Sequence, residues 1–446
     1  MRKTVSAGVS TVNITPSVGF DNMGDYLRLK PAVGVGNELF AKALVLDDGE
    51  NRIAIVTADI INFTDWMVEE IRKRIESLTG INGKNVLLSA SHTHSSPAVA
   101  EKDGASREYL MELCKKVAGA VFMADQNKQK ALIGCGVGKA EVSINRWQRT
   151  DGGVRWGPNP DAPVDHDVMV MRVDDLDGKP MAILVSFASH PSILGADNLL
   201  YSGDYVSYVQ STIEKIYDGR VTAMFATGAG GDIKIAVLTE DGSQFRYADL
   251  EECRKFGTII GAEAVKVAEC IKTKPVERVS AQVMTVELPL VDLPKAEDLE
   301  REMEALQEQI RRLEEQGKPA HQKRFQLEWA RETLKAIREG RAPRSIPVEV
   351  QLLRIGDEIA FFAVPGELFV EVGMKLKRAM GLPGSFVIAY ANGAVGYLPS
   401  KRAQEWGWCE HDDSYKLSGR PANFSGEIEE VLLRALTEMM ATQREV

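Results

Sequence analysis

Short apolar runs that stop at polar or glycine-rich loops, alternating with segments of helical periodicity, constrain this chain more than any other feature of its sequence. IAIVTAD (53–59), NVLLSASH (85–92), ILVSFASHP (183–191), VTAMFATGAGGD (221–232) and IAFFAVPGE (359–367) read as buried strands opening into loops. Between them, WMVEEIRKRIESLTG (66–80) and REYLMELCKKVAGAVFMADQ (107–126) carry apolar residues at helical spacing, the first ending at a glycine. Segments 204–217, 249–272 and the C-terminal SGEIEEVLLRALTEMMATQ read as further helices. Strand and helix in alternation predict an α/β fold, a mixed central sheet flanked by helices, in one domain over 1–446. ALVLDDGENRIAIVTADI adds a hairpin signature around its Asp-Gly.

Residues 293–341 differ in character. Leu299, Met303, Leu306, Ile310 and Leu313 recur at steps of three and four, GKPAH breaks the pattern, and QKRFQLEWARETLKAIREG resumes it. That pattern predicts a helical hairpin with one apolar seam, inserted within the domain. A packed insertion without chemistry of its own, a lid and an interface are the readings it leaves open.

Composition narrows the function classes. Hydrophobic residues make up 44% of the 446, charged residues 26%, and the net charge is -10. An acidic chain argues against nucleic acid or an anionic membrane as partner. Cys114, Cys135, Cys253, Cys270 and Cys409 are scattered and never form a CxxC pair, so neither a disulfide framework nor a zinc knuckle is expected. The basic start lacks an apolar core segment, and no stretch approaches 18 apolar residues; the expectation is a cytoplasmic protein without a membrane span, homo-oligomerisation staying open.

Chemistry gathers at the strand ends. Of six histidines, His92, His94 and His190 lie just past strands, at the edge where α/β sheets bind ligands. Neutral imidazole suits zinc, and His-x-His on an extended segment places both side chains on one face. Neither HxHxDH nor HExxH is present. Asp59, Asp204, Asp232 and Glu367 follow strands or tight glycine turns in the same way. One such acid reads as a cap or turn residue; four beside histidines suggest a metal site with supporting acids that orient imidazoles. The turn GAGG lacks the Lys-Ser/Thr of a phosphate loop. His166, His321 and His411 read as surface or structural residues, His411 near Cys409 being the one within reach of a substrate pocket.

An ordered series of short motifs resembles the N-terminal catalytic domain of the neutral, non-lysosomal ceramidase family: VNITP and MGDY near the start, then SHTHSSP, INR (144–146), SFASHP, YSGDY, GAGGD, VPGE and NGAVGYLPS. The resemblance runs over nearly the whole chain. It implies one catalytic zinc held by His92, His190, Glu367 and Tyr397, with His94 and Arg146 beside the metal handling the scissile carbonyl. It implies a zinc-dependent amidohydrolase cleaving a carbon–nitrogen amide bond, linear or cyclic, by metal-activated water. Two positions depart from the family. Lys234 stands where the family has the serine of Gly-Asp-x-Ser-Pro, and Cys409 where a second tyrosine is expected. Both belong to the substrate side and argue for a small or acyl-amide substrate other than ceramide itself, with Lys234 counted among the catalytic candidates as a partner for a substrate carboxylate or phosphate. A salt-bridged lysine is the plain alternative for that residue, as a buried cysteine is for Cys409. A zinc esterase or lactonase on the same site, and a non-catalytic metal- or ligand-binding homologue, are the competing functions.

On this reading His190→Ala and Glu367→Ala each remove the metal and the activity while leaving the fold intact. Metal analysis beside circular dichroism checks it, and full occupancy in either variant overturns the ligand set.

Overall fold

The computed structural model describes residues 4–19, 28, 30–99, 104–407 and 414–442. Two β-sheets lie face to face with helices outside both. The larger sheet runs in the order Thr222–Thr227, Pro180–Phe187, Asp167–Asp175, Gln129–Lys139, Ser6–Asn13, Phe40–Asp47, Arg52–Ala58, Val86–Ala90, with Lys274–Pro275 paired to Gln129–Lys139. It is mixed: the outermost pair at each end is parallel and the pairs between are antiparallel. The smaller sheet orders Val279–Pro289, Ser345–Ile355, Ile359–Ala363 and Gly384–Ile388, the last pair parallel. The expected mixed α/β architecture is what forms, with this second sheet as the part that hydrophobic pattern did not separate from the first.

Side-chain alternation explains the layering. In the hairpin Phe40–Asp47 and Arg52–Ala58, Leu44, Leu46, Ile53 and Ile55 face one way and pack with Phe361, Phe386 and Ile388 of the second sheet. Ala43, Val45, Ala54 and Val56 face the other way, onto helices Asp65–Thr79 and Gly104–Gln126. Strands buried on both faces must be apolar at every position, which is why they read as continuous runs. Helices Asp204–Ile216 and Leu250–Cys270 cover the other half of the large sheet. Val370–Met380 and Ile428–Thr442 cover the small one. Helix Asp65–Thr79 ends where its periodicity stops, at Gly80 in the left-handed region (φ 70°) with its N–H returned to the Glu76 carbonyl.

Residues 389–392 close the assembly. Ala389 N–H donates to the Thr227 carbonyl (3.0 Å), Ala90 N–H to the Tyr390 carbonyl (3.1 Å) and Asn392 N–H to the Leu88 carbonyl (2.9 Å). The two edge strands of the large sheet are thereby clasped by a segment leaving the small one, and their C-terminal ends meet at one place. The segment 293–341 forms helices Ala296–Glu315 and His321–Arg338, joined to the long ribbon of Val279–Pro289 and Ser345–Ile355. No helix among the described residues is long and apolar enough to cross a membrane.

Beneath the strand ends lies a buried polar network. Asp59 accepts the Phe40 N–H (3.0 Å) and the Gln210 amide (3.2 Å), while Lys42 donates to Glu214 (2.6 Å) and the Ala223 carbonyl (2.8 Å). Burial pushes the Asp59 carboxyl up to about 6, Lys42 opposing and Glu214 adding to the effect. An acid whose folded pKa lies above its unfolded one favours the folded state at low pH. That advantage is lost as pH rises from 3.8 through about 6, a change of about 3 kcal/mol. Asp59→Asn, which cannot titrate, is therefore expected to gain stability relative to wild type between pH 4.5 and pH 7. Denaturant titrations at the two values measure it, and an equal difference at both removes Asp59 as the cause.

Candidate metal centre

Backbone carbonyls, not carboxylates, fix the two imidazoles among the candidate ligands. After Val86–Ala90 the chain turns sharply: Ser91 N–H reaches the Ala58 carbonyl (2.8 Å) and His92 N–H the Ile60 carbonyl (3.0 Å). These bonds hold His92 in the left-handed region (φ 64°), which costs a β-carbon-bearing residue about 1–3 kcal/mol. The segment is thus bent, not extended as His-x-His suggested, and the two rings still approach to 5.1 Å. Arg28 donates to the carbonyl of His94 and, at 2.8 Å, to that of Gly195, tying the histidine loop to the one beyond His190. Of the five non-glycine residues with positive φ among the described residues, His92, Tyr390 and Asn392 sit in the loops that carry or back this site, and Asp204 opens the helix behind it. Strain concentrated in one place points to function independently of any motif.

His190, fully buried, follows Pro180–Phe187, its N–H on the Ile233 carbonyl (3.0 Å). Glu367 and Tyr397 are partners in a two-residue parallel ladder, and Glu367 N–H donates to the Gly396 carbonyl (2.9 Å). The glycines of GAGGD serve close packing: a β-carbon on Gly231 would stand 2.3 Å from the Glu367 carbonyl oxygen. Arg146 enters from the strand Ser143–Thr150. It donates through Nη2 to the Gly231 carbonyl (2.7 Å) and the Tyr397 hydroxyl (2.9 Å), 3.2 Å from His190 Nε2.

The donor set fits a metal ion. His92 Nδ1 lies 2.7 Å from the Ile61 carbonyl and His190 Nδ1 2.8 Å from the Gly230 carbonyl. Each ring therefore carries its proton on Nδ1 and turns an Nε2 lone pair inward. Both nitrogens face the same atom, Glu367 Oε2, at 3.5 Å and 3.2 Å. That oxygen is buried and has no hydrogen-bond donor. Burial, with the Arg146 charge beside it, pushes the His190 imidazolium well below its usual range, so the ring stays neutral. Three lone-pair donors without a proton between them are what a divalent cation satisfies. His94 is close as well: one nitrogen from each of His92, His94 and His190 falls within 4.8 Å of the others, so those three alone could hold a metal.

The supporting residues differ from expectation. Asp59, Asp204 and Asp232 do not orient imidazoles; carbonyls do. Asp204 accepts from the Leu194 and Tyr205 N–H groups (3.0 and 2.7 Å), and Asp232 from Val370 N–H and the Asn145 amide (2.7 Å each). Burial raises both carboxyls, Asp232 to about 6. Lys234 pairs with His190 across a strand bridge and is 1% exposed. Its ammonium lies over the rings of Tyr247 (4.7 Å), Trp156 (5.0 Å) and Phe245 (5.5 Å). An amine set against three aromatic faces holds loops together. Cys409 and His411 lie outside the described residues. Tyr390 is a site residue that no sequence motif marks: its ring stacks on His92 (centroids 4.1 Å) and its hydroxyl lies 3.2 Å from His190 Nδ1. The available signal was its position, directly after an apolar strand in FVIAYANG, like each of the histidines.

Comparison with known proteins gives the family. The family described as neutral/alkaline non-lysosomal ceramidase, N-terminal, matches residues 6–243. Neutral ceramidase B of Dictyostelium discoideum is 27% identical over 237 residues, 48% of this chain and 32% of that protein. Neutral ceramidase of Drosophila melanogaster is 24% identical over 260 residues, 53% of this chain and 36% of that one. The matched stretch thus spans about a third of each relative's length. The crystal structure of neutral ceramidase from Pseudomonas aeruginosa superposes with a TM-score of 0.73 at 18% identity, covering 100% of this chain and 75% of that one, a likeness of fold. A match across more than half of the sequence places this chain in the neutral/alkaline non-lysosomal ceramidase family.

Proposed function

We propose that the protein hydrolyses the amide bond of an N-acylated lipid of the ceramide class, using a zinc ion held by His92, His190, Glu367 and Tyr397. The observation that carries this reading is the convergence of two imidazole Nε2 atoms on the buried Glu367 Oε2, with both Nδ1 protons already given to carbonyls. Nitrogen and oxygen donors of this kind suit zinc. The matched relatives are called neutral ceramidases, which favours an acylated lipid over a small soluble amide.

When bound, zinc supplies Lewis acidity, polarising a carbonyl and lowering the pKa of water from 15.7 toward about 7. The remaining work falls to the chain. Arg146, buried and charged, holds the Tyr397 oxygen and sets positive potential against the charge that develops on an amide oxygen. His94 stands with its ring 5.1 Å from His92 and 5.5 Å from His190, and passes a proton to the leaving amine. Tyr390 holds the His92 ring by stacking, and the Ile61 and Gly230 carbonyls fix both tautomers. Asp232 anchors the start of helix Val370–Met380 and, through its carbonyl, Arg146.

Metal content of protein purified without added metal, beside His92→Ala, tests the proposal. About one zinc per chain, absent in the variant, supports it; a wild-type protein that takes no zinc even on incubation overturns it. A panel of N-acyl lipids, small amides and esters then reads the substrate, and turnover confined to esters or small amides rejects the substrate assignment. His94→Gln is expected to keep its zinc and lose about 10²–10⁴-fold in kcat. Loss of zinc in that variant would make His94 a ligand instead.

A further inference from the structure

We infer that the helical hairpin is a clamp that fixes the Glu367–Tyr397 half of the metal site, an inference that rests on the metal reading above. The hairpin's two helices both grip the segment that follows residue 413. From Ala296–Glu315, Glu302 accepts from the buried Lys416 ammonium at 2.7 Å. From His321–Arg338, the Trp329 indole N–H donates to the Arg420 carbonyl at 2.8 Å, and its ring meets Tyr415 edge to face at 5.5 Å and lies 4.6 Å from the Lys416 ammonium. Arg420 N–H in turn donates to the Tyr415 carbonyl (3.1 Å), closing the segment into a tight loop.

Arg420 carries that grip to the ligands. Its guanidinium is buried against the Phe424 ring (4.1 Å) and packs so closely on Gly396 that a β-carbon there would lie 2.9 Å from Nη2. Gly396 has φ 82°, a conformation that favours glycine, and is the residue before Tyr397. Its carbonyl accepts the Glu367 N–H, and Glu367 and Tyr397 face each other in their ladder. A two-residue ladder leans on what packs around it, and on the Gly396 side that is Arg420, whose carbonyl Trp329 holds while Glu302 holds Lys416 of the same loop. The hairpin thus acts on the two ligands from the second sheet, whereas His92 and His190 are set by the first.

A purely structural insertion would affect melting temperature and nothing at the metal. The test is therefore the zinc dissociation constant by chelator competition, with the visible spectrum of the cobalt-substituted protein, in the full chain. Trp329→Ala and Glu302→Gln are expected to weaken zinc by about tenfold or more and to change the cobalt spectrum, and Trp329→Phe to fall between. Glu308→Gln, on the outer face where Glu308 pairs with Arg311 and Arg312, is expected to bind zinc as wild type does. If Trp329→Ala fails to fold, Glu302→Gln decides, since the Glu302 side chain is 35% exposed. Wild-type affinity and spectrum in the folded clamp variants overturn the clamp while the metal reading stands; a wild-type protein that takes neither zinc nor cobalt overturns both.

Discussion

Two imidazole nitrogens and a buried carboxylate oxygen, none carrying a proton of its own, converge where the strand ends of the two sheets meet. Left to themselves such groups repel, and desolvating them is unfavourable. Their arrangement persists because the backbone determines it. The Ile61 and Gly230 carbonyls take the Nδ1 protons, and the Gly396 carbonyl takes the Glu367 N–H. The strained backbone at His92 and Tyr390 is a consequence of the same demand: the loops bend where the rings must point.

The layers supply the rigidity this needs. Strand ends from the large sheet deliver His92 and His190, the small sheet delivers Glu367 and Tyr397, and residues 389–392 lock the sheets together with Tyr390 stacked on His92. Lys234 shows how the surrounding loops are secured, its ammonium drawn to three aromatic faces under the strand that pairs with His190.

Much of this was legible in the sequence. Unbroken apolar runs announce doubly buried strands, and residues just past those runs gather at one edge, so His92, His190, Glu367 and Tyr397 were within reach of pattern and motif. Less visible was whatever depends on tertiary approach. Apolar runs at 279–289 and 345–364 do not say that they form a second sheet. Acids at strand ends look like imidazole partners, yet carbonyls, which every residue has, do that work. A lysine replacing a serine gives no sign that Trp156, together with the neighbouring Phe245 and Tyr247, gathers around its ammonium. Tyr390 was hidden by its ordinary setting in an apolar run.

The order of the site residues along the chain bears on how the protein is made. His92, Arg146 and His190 emerge early in synthesis, whereas Glu367 and Tyr397 arrive some two hundred residues later and come from a different sheet. On the proposed ligand set, an emerging N-terminal portion would expose histidines able to hold a metal loosely, and the full shell would close only after the second sheet has docked. Such distant pairings form slowly, since long loops must close before the contacts reward them. Tight capture of the ion would thus mark the last stage of maturation, making a loaded centre a report that the whole chain has reached its final state.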